Sequence, residues 1–153
     1  MKVFLRITTL LLLATSIFSC HKKSNKSQAQ IDEDKIQAYI RDNKLNATAT
    51  GSGLYYVINT QGTGVNPGLN NTVTVKYNGH LDNGEIFDLS TNSGASFQLK
   101  NVIQGWQEGI PLFKKGGKGI LLIPSALGYG SQPQTGIPAN SVLVFDIELL
   151  DVQ

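Results

Sequence analysis

The segment Val142–Leu150 alternates almost without a break. Leu143, Phe145, Ile147 and Leu149 fall on one side, and Val144, Asp146 and Glu148 on the other. Successive residues of a strand point to opposite faces, so this pattern predicts a strand with one buried face. A strand of this kind needs partners, and the chain supplies them. Val73-Thr74-Val75-Lys76-Tyr77 alternates in the same way. Leu54–Ile58, Phe97–Leu99 and Lys118–Ile123 are further strand segments, with Gly62, Gly64, Pro67, Gly68 and Pro124 among the residues that close them. Leu81–Phe87 reads as a hairpin, with Asn83 and Gly84 providing the positive φ values of a tight turn. Helical spacing occurs in two places. Asp32–Leu45 carries Ile36, Tyr39 and Ile40 on one face, with Asp32 or Asp34 as its cap and Lys44 near its end. Ile103–Phe113 is shorter and is closed by Gly116 and Gly117. The expected class is α+β: a mainly antiparallel sheet covered by one short helix. The first helix either packs on this domain or supports a dimer. No internal repeat is present.

The N-terminus follows different rules. Lys2 and Arg6 precede an apolar run, Ile7–Phe18, too short to span a bilayer comfortably, and the run ends at Ser19-Cys20. A small residue before a cysteine after such a run resembles a lipobox, with cleavage before Cys20 and a lipid on its thiol. The other readings are a plain secretory signal and an uncleaved anchor helix. Cys20 is the only cysteine, so an exported chain has no internal disulfide partner for it. Residues 1–19 are thus expected to be a lipoprotein signal peptide and residues 20–30 a flexible tether, rich in Ser, Asn, Gln and Lys. Residues 31–53 are the N-terminal helix and linker, and residues 54–153 the main domain. Such a chain would face the periplasm from the cell envelope, with the outer membrane as one candidate. Charge supports the division. The chain has 13 basic and 11 acidic residues, but Lys2, Arg6, Lys22, Lys23 and Lys26 all lie in the signal and tether. Acids predominate in the rest, so nucleic acid is not an expected partner.

Most site chemistries lack their residues. The histidines are His21, in the tether, and His80, in the hairpin region, and they form no metal-ligand pair. No serine has a histidine suited to a triad. Gly116-Gly117-Lys118 lacks the first glycine and the Ser or Thr of a phosphate loop and reads as a turn. No metal and no cofactor is expected. What remains is a set of aromatic residues around the lone Trp106, a Phe87-Asp88 pair, and a glycine- and proline-rich loop, Ser125–Asn140, long enough to be functional. Trp106 is either the centre of a core or the floor of an apolar pocket.

The order of these motifs resembles the FK506-binding-protein family of peptidyl-prolyl isomerases. The matching segments are Val73–Leu81 with Gly84 and Phe87-Asp88, then Val102-Ile103-Gln104-Gly105-Trp106, then Leu127–Gly130, Ile137-Pro138 and Leu143–Leu149. The preceding helix resembles the extension of bacterial lipoprotein members. The resemblance implies an antiparallel half-barrel sheet wrapped around a short helix, with the N-terminal helix as an extension and an apolar pocket between sheet and short helix. It places Trp106 under the proline ring, with Tyr77, Phe87, Val102, Ile103 and Phe145 as walls. It gives the Tyr129 hydroxyl and the Ile103 N–H to substrate carbonyls, puts Asp88 at the rim and Ile137 on an overhanging loop. Tyr77, Asp88 and Tyr129 would be the catalytic group. Phe97, Leu143 and Leu149 are read as core. The substrates implied are proline-containing unfolded or exported polypeptides. A macrolide of the FK506 or rapamycin type is a further implied ligand, although Lys76 replaces a usual histidine and Ala95 a usual aromatic residue. The alternative is a non-catalytic peptide-binding or chaperone lipoprotein that uses the same pocket.

Overall fold

The structure is a computed structural model and describes residues 25–153. The assignments for residues 1–19, for Cys20 and for His21 to Ser24 lie outside the described residues. The main body is one seven-stranded sheet in which every pairing is antiparallel. Its strands are β1 (Thr48–Ala49), β2 (Tyr55–Thr60), β3 (Thr72–Leu81), β4 (Ile86–Leu89), β5 (Ala95–Gln98), β6 (Lys118–Ile123) and β7 (Leu143–Val152), in the order β1-β2-β6-β7-β3-β4. β3 and β7 are the long central strands, paired from Val73↔Val152 to Leu81↔Leu143. The free edge of β3 is shared. β5 pairs with its first half and β4 with its second. At the gap between them Ser90 Oγ accepts from the Tyr77 N–H at 2.9 Å, and the Ser90 N–H donates to Tyr77 O at 3.1 Å. The open antiparallel sheet with its short helix is the α+β arrangement expected from the alternation. His80 sits at the end of β3 and is buried, whereas the sequence placed it in the hairpin.

The sheet wraps its inner face around a short helix, α2 (Gln104–Gly109), which continues as a 3₁₀ turn over Ile110–Leu112. Two glycines let α2 sit this close. A Cβ on Gly105 would fall 2.4 Å from Ile123 Cγ2, and one on Gly109 2.6 Å from Leu121 Cδ1. Their four-residue spacing puts both on the helix face turned to β6. Trp106, Ile110, Phe113, Leu121, Ile123, Phe145 and Ile147 share one buried cluster on this side.

The outer face holds a second core that the alternation of β7 did not suggest. Val144 is fully buried, so β7 is covered on both faces at this end. The cover is α1 (Gln28–Asp42), whose Ile36 packs with Leu122, Val142 and Val144. The helix docks on the domain rather than standing clear of it. It also starts four residues before the Asp32 expected from the sequence. Ser27 is the cap, and its hydroxyl and the Gln30 side chain bond each other's backbone N–H in a capping box. Residues 28–30 therefore belong to the helix and not to the tether. Further contacts hold α1 in place: Tyr55 Oη donates to Glu33 Oε1 at 2.7 Å, and Lys35 lies 3.7 Å from Asp82.

Candidate functional site

The site lies between the inner face of the sheet and the N-terminus of α2. Three strands and the helix bring four rings together. Tyr77 comes from β3, Phe97 from β5, Phe145 from β7 and Trp106 from the first turn of α2. The ring of Trp106 meets Tyr77 at 5.2 Å, Phe97 at 5.5 Å and Phe145 at 5.2 Å between centroids, each edge to face. Tyr77 also meets Phe145, and Phe87 meets Phe145 at 5.5 Å. Edge-to-face pairs are worth about 0.5–1.5 kcal/mol each beyond the area they bury. A ring held by three such contacts presents a fixed surface.

Above these rings is a cleft of about 320 Å³, lined by Tyr77, Asp88, Phe97, Asn101, Val102, Ile103, Trp106, Tyr129 and Phe145. Core and pocket floor are not alternatives for Trp106. Its ring is 4% exposed, belongs to the main core and still lines the cleft. Its indole N–H has no acceptor among the described residues. An adjoining hollow of about 260 Å³ is lined by Phe87, Asp88, Tyr129, Gln134, Thr135, Ile137 and Phe145. Phe87 and Ile137 thus line this side hollow rather than the main cleft. Phe97, read from sequence as core, is half-buried and forms a wall of the main cleft. Asn101 also lines it and was not singled out from the sequence. It follows the strand of Phe97 in a polar 3₁₀ turn, and only the fold brings it to the rim.

The polar groups are few and lie at the mouth. Tyr77 Oη donates to Asp88 Oδ2 at 2.8 Å, and Asp88 Oδ1 accepts from the Leu89 N–H at 2.9 Å. Burial raises the Tyr77 pKa well above its ordinary value; the Asp88 hydrogen bond, the Asp88 charge and nearby Tyr129 push the same way. Tyr77 therefore remains a neutral donor well into the alkaline range. Tyr129 is 39% exposed at the edge of the cleft. Its hydroxyl has no protein partner among the described residues. Ile103 caps α2 with extended backbone, and its carbonyl accepts from the Trp106 and Gln107 N–H groups. Gln107 Nε2 donates to Val102 O at 2.8 Å and fixes the segment leading into the helix. The Ile103 N–H has no protein acceptor among the described residues. Two donors thus flank an apolar floor. Such an arrangement suits a ligand with a nonpolar ring between two carbonyls.

Close packing keeps the cleft in shape. Gly79 lies on β3 behind Phe87 and Phe145, and a Cβ there would come within 2.8 Å of both rings. A different depression, of about 290 Å³, lies among Lys76, Asn78, Lys118, Asp146 and Glu148. These outer-face residues alternate with Tyr77 and Ile147, and four of them are paired. Lys118 bonds Glu148 at 3.0 Å, and Asn78 bonds Asp146 at 3.3 Å. That trough is lined mainly by charged and amide side chains and has no cluster of rings, so the aromatic cleft is the better site for an apolar ligand.

Known proteins share this fold. An FkpA from Buchnera aphidicola subsp. Schizaphis graminum, named as an FKBP-type peptidyl-prolyl cis-trans isomerase, is 43% identical over 145 residues; the match covers 86% of this chain and 58% of that one. The Escherichia coli K12 FkpA is 48% identical over 106 residues, covering 68% of this chain and 39% of that one. The chain spans about half the length of these relatives. Among solved structures, FkpA from Escherichia coli superimposes with a TM-score of 0.73 at 41% identity, covering 82% of this chain and 61% of that one. A peptidyl-prolyl cis-trans isomerase from Pseudomonas syringae gives 0.71 at 31% identity and is covered over 98% of its length. The family profile for FKBP-type peptidyl-prolyl cis-trans isomerases matches residues 64–150, which contain every side chain lining the aromatic cleft. The fold is thus shared, and the chain belongs to the FKBP-type peptidyl-prolyl cis-trans isomerase family.

Proposed function

We propose that the aromatic cleft binds an X-Pro segment and speeds its cis–trans isomerisation without covalent chemistry. The observation that carries this reading is the floor of edge-to-face rings with two unpaired donors beside it. Twisting a peptide bond breaks amide resonance and costs roughly 18–20 kcal/mol. X-Pro bonds consequently exchange over tens to hundreds of seconds. In the twisted state the carbonyl oxygen has lost negative charge and the nitrogen has become an ordinary amine. That state is less polar than the planar amide, so an apolar cleft disfavours the ground state more than the twisted one. Trp106 supplies the surface for the proline ring, with Tyr77, Phe97 and Phe145 around it. The Tyr129 hydroxyl and the Ile103 N–H hold the flanking carbonyls in the twisted geometry, and Asp88 keeps the Tyr77 hydroxyl oriented at the rim. Each tenfold in rate requires only about 1.4 kcal/mol of such preference.

The proposed substrates are unfolded, proline-containing exported polypeptides. In this reading residues 1–19 are a signal, Cys20 carries lipid, and the domain works in the periplasm from a membrane anchor. Mass spectrometry of membrane-extracted protein tests this: a diacylglycerol adduct on Cys20, lost in Cys20→Ser, supports it, and an unmodified thiol sinks it. The isomerase reading is tested by exchange spectroscopy on an X-Pro peptide with purified protein lacking residues 1–20. Acceleration that falls in Tyr129→Phe supports it. An exchange rate equal to the uncatalysed one refutes it, and the binding-only alternative would then be tested by suppression of aggregation. Titration with an FK506-type macrolide, followed by Trp106 fluorescence, tests whether the cleft holds such a ligand.

A further inference from the structure

Tyr129 stands in a loop with no regular strand or helix of its own beyond its first 3₁₀ turn, yet its neighbours are held tightly. The Ser125 carbonyl accepts from the N–H of Gly128 at 3.0 Å and of Gly130 at 2.8 Å, the residues on either side of Tyr129. The Gly130 carbonyl in turn accepts from the Asn140 N–H at 2.7 Å and ties the two ends of the loop together. Ser125 is therefore the point from which Tyr129 is hung. Ser125 is itself held from α1. Asp32 Oδ2 accepts from the Ser125 N–H at 2.9 Å and from its hydroxyl at 2.6 Å, while Oδ1 accepts from Gln28 Nε2 at 2.7 Å. Asp32 and Ser125 are 1% and 2% exposed.

A buried carboxylate is a poor way simply to attach a helix. Its desolvation is costly, and an apolar side chain of similar size attaches a helix as well or better. The other buried part of the α1 contact, through Ile36, is apolar, and the remaining polar contacts from Glu33 and Lys35 lie nearer the surface. What the carboxylate adds is direction: short charge-assisted bonds fix a backbone N–H and a hydroxyl in one place. We propose that Asp32 is a positioning residue, acting through Ser125 to set Tyr129 at the mouth of the cleft. The N-terminal helix is then part of the working site, although it lies on the opposite face of the sheet and before the part of the chain that matches the family profile. This inference rests on the isomerase reading for its kinetic arm but not for its structural one.

The test compares Asp32→Ala, Asp32→Asn and Ser125→Ala with Ile36→Val, which loosens the same helix through its apolar contact. Two readouts are taken on each: amide hydrogen exchange at Gly128 and Gly130, and kcat and KM for an X-Pro peptide. Asp32→Ala is expected to speed exchange at both glycines by at least about tenfold and to lower kcat/KM by a similar factor, because both charge-assisted hydrogen bonds to Ser125 are lost. Ile36→Val should lower the melting temperature and leave both readouts at wild-type values. Asp32→Asn keeps an oxygen acceptor and should recover part of the loss. Ser125→Ala keeps the backbone bond and should cost about threefold. In a Tyr129→Phe background Asp32→Ala should lower kcat/KM little further, because both changes act through one group. Unchanged exchange at Gly128 and Gly130 in Asp32→Ala and Asp32→Asn overturns the proposal, and so do fully additive kinetic losses. If the wild type does not accelerate isomerisation, the isomerase reading fails, and the exchange data alone decide whether Asp32 positions the loop.

Discussion

Val144 and Phe145 are neighbours on β7 and point to opposite faces of one sheet. Val144 meets α1 in a closed aliphatic core with Ile36, Leu122 and Val142. Phe145 meets Trp106, Tyr77 and Phe87 and is left with a cleft beside it. Aliphatic side chains interdigitate and fill space. Rings locked edge to face are stiff and do not collapse into a neighbouring gap, so they can frame a void that stays open. The outer face thus only packs, whereas the inner face carries the larger core and also keeps a surface free for a ligand.

Exchanging these neighbours for alanine separates the two roles most strongly. Phe145→Ala is expected to cost about 3–5 kcal/mol of stability and to weaken peptide binding as well. Val144→Ala should cost about 2 kcal/mol and leave peptide affinity unchanged. Denaturant melts paired with Trp106 fluorescence titrations measure both. If the outer-face change weakens binding as much as the inner-face one, the division between faces is wrong.

Glycine sites refine the comparison. Gly79→Ala would drive a methyl group into Phe87 and Phe145 and should cost about 1–3 kcal/mol, with weaker ligand binding because the rings must move. Gly84 lies in the hairpin with φ +87°, and a methyl group added there would meet nothing within 4 Å. Gly84→Ala should therefore cost about 1–2 kcal/mol through backbone strain alone. Its ligand affinity should match the wild type. Similar losses of affinity for the two variants would show that the Gly79 effect is not a matter of the rings.

Smaller effects come from the polar rim. Tyr77→Phe removes the bond to Asp88 and should cost about 1 kcal/mol. Tyr77 has a folded-state pKa above its ordinary value of 10.0. Its contribution is therefore complete below that value and is lost as pH rises through the raised folded value. The stability gap between wild type and Tyr77→Phe should be flat from about pH 6 to about pH 9 and shrink above pH 10. A gap that opens with rising pH contradicts this. On the outer trough, Glu148→Gln breaks a half-exposed pair with Lys118 and should change stability by less than about 0.5 kcal/mol, with no kinetic effect.

The sheet was legible because period-two alternation survives in β3 and β7, and because Pro124 ends β6 and Gly84 marks the turn after β3; of the Asn83-Gly84 pair only Gly84 takes the expected positive φ, since the loop between β3 and β4 is longer than a two-residue turn. The cover on Val144 was not, since an aliphatic residue among Asp146 and Glu148 looks the same whether or not a distant helix lies over it. The start of α1 was misplaced because Asp32 resembles a cap, whereas Ser27 and Gln30 form the actual capping box. Tyr77, Asp88, Tyr129, Val102, Ile103, Trp106 and Phe145 gather at the cleft through motifs whose order can be read in the chain. Phe87 and Ile137 line the adjoining hollow. Phe97 was read as core because a lone aromatic residue on a short strand has the same pattern in either role. The bond from Asp32 to Ser125 joins residues 93 positions apart, and no local pattern encodes it.

In this protein the inner face, and not the outer, is expected to lower the barrier to X-Pro exchange. This is tested most directly by the cis–trans exchange rate of an X-Pro peptide with wild type, Phe145→Ala and Val144→Ala, all at a temperature where each is folded. Wild type and Val144→Ala should accelerate exchange alike, and Phe145→Ala at least about tenfold less, a change equal to about 1.4 kcal/mol in the barrier. Equal acceleration by all three proteins, or none by the wild type, would contradict it.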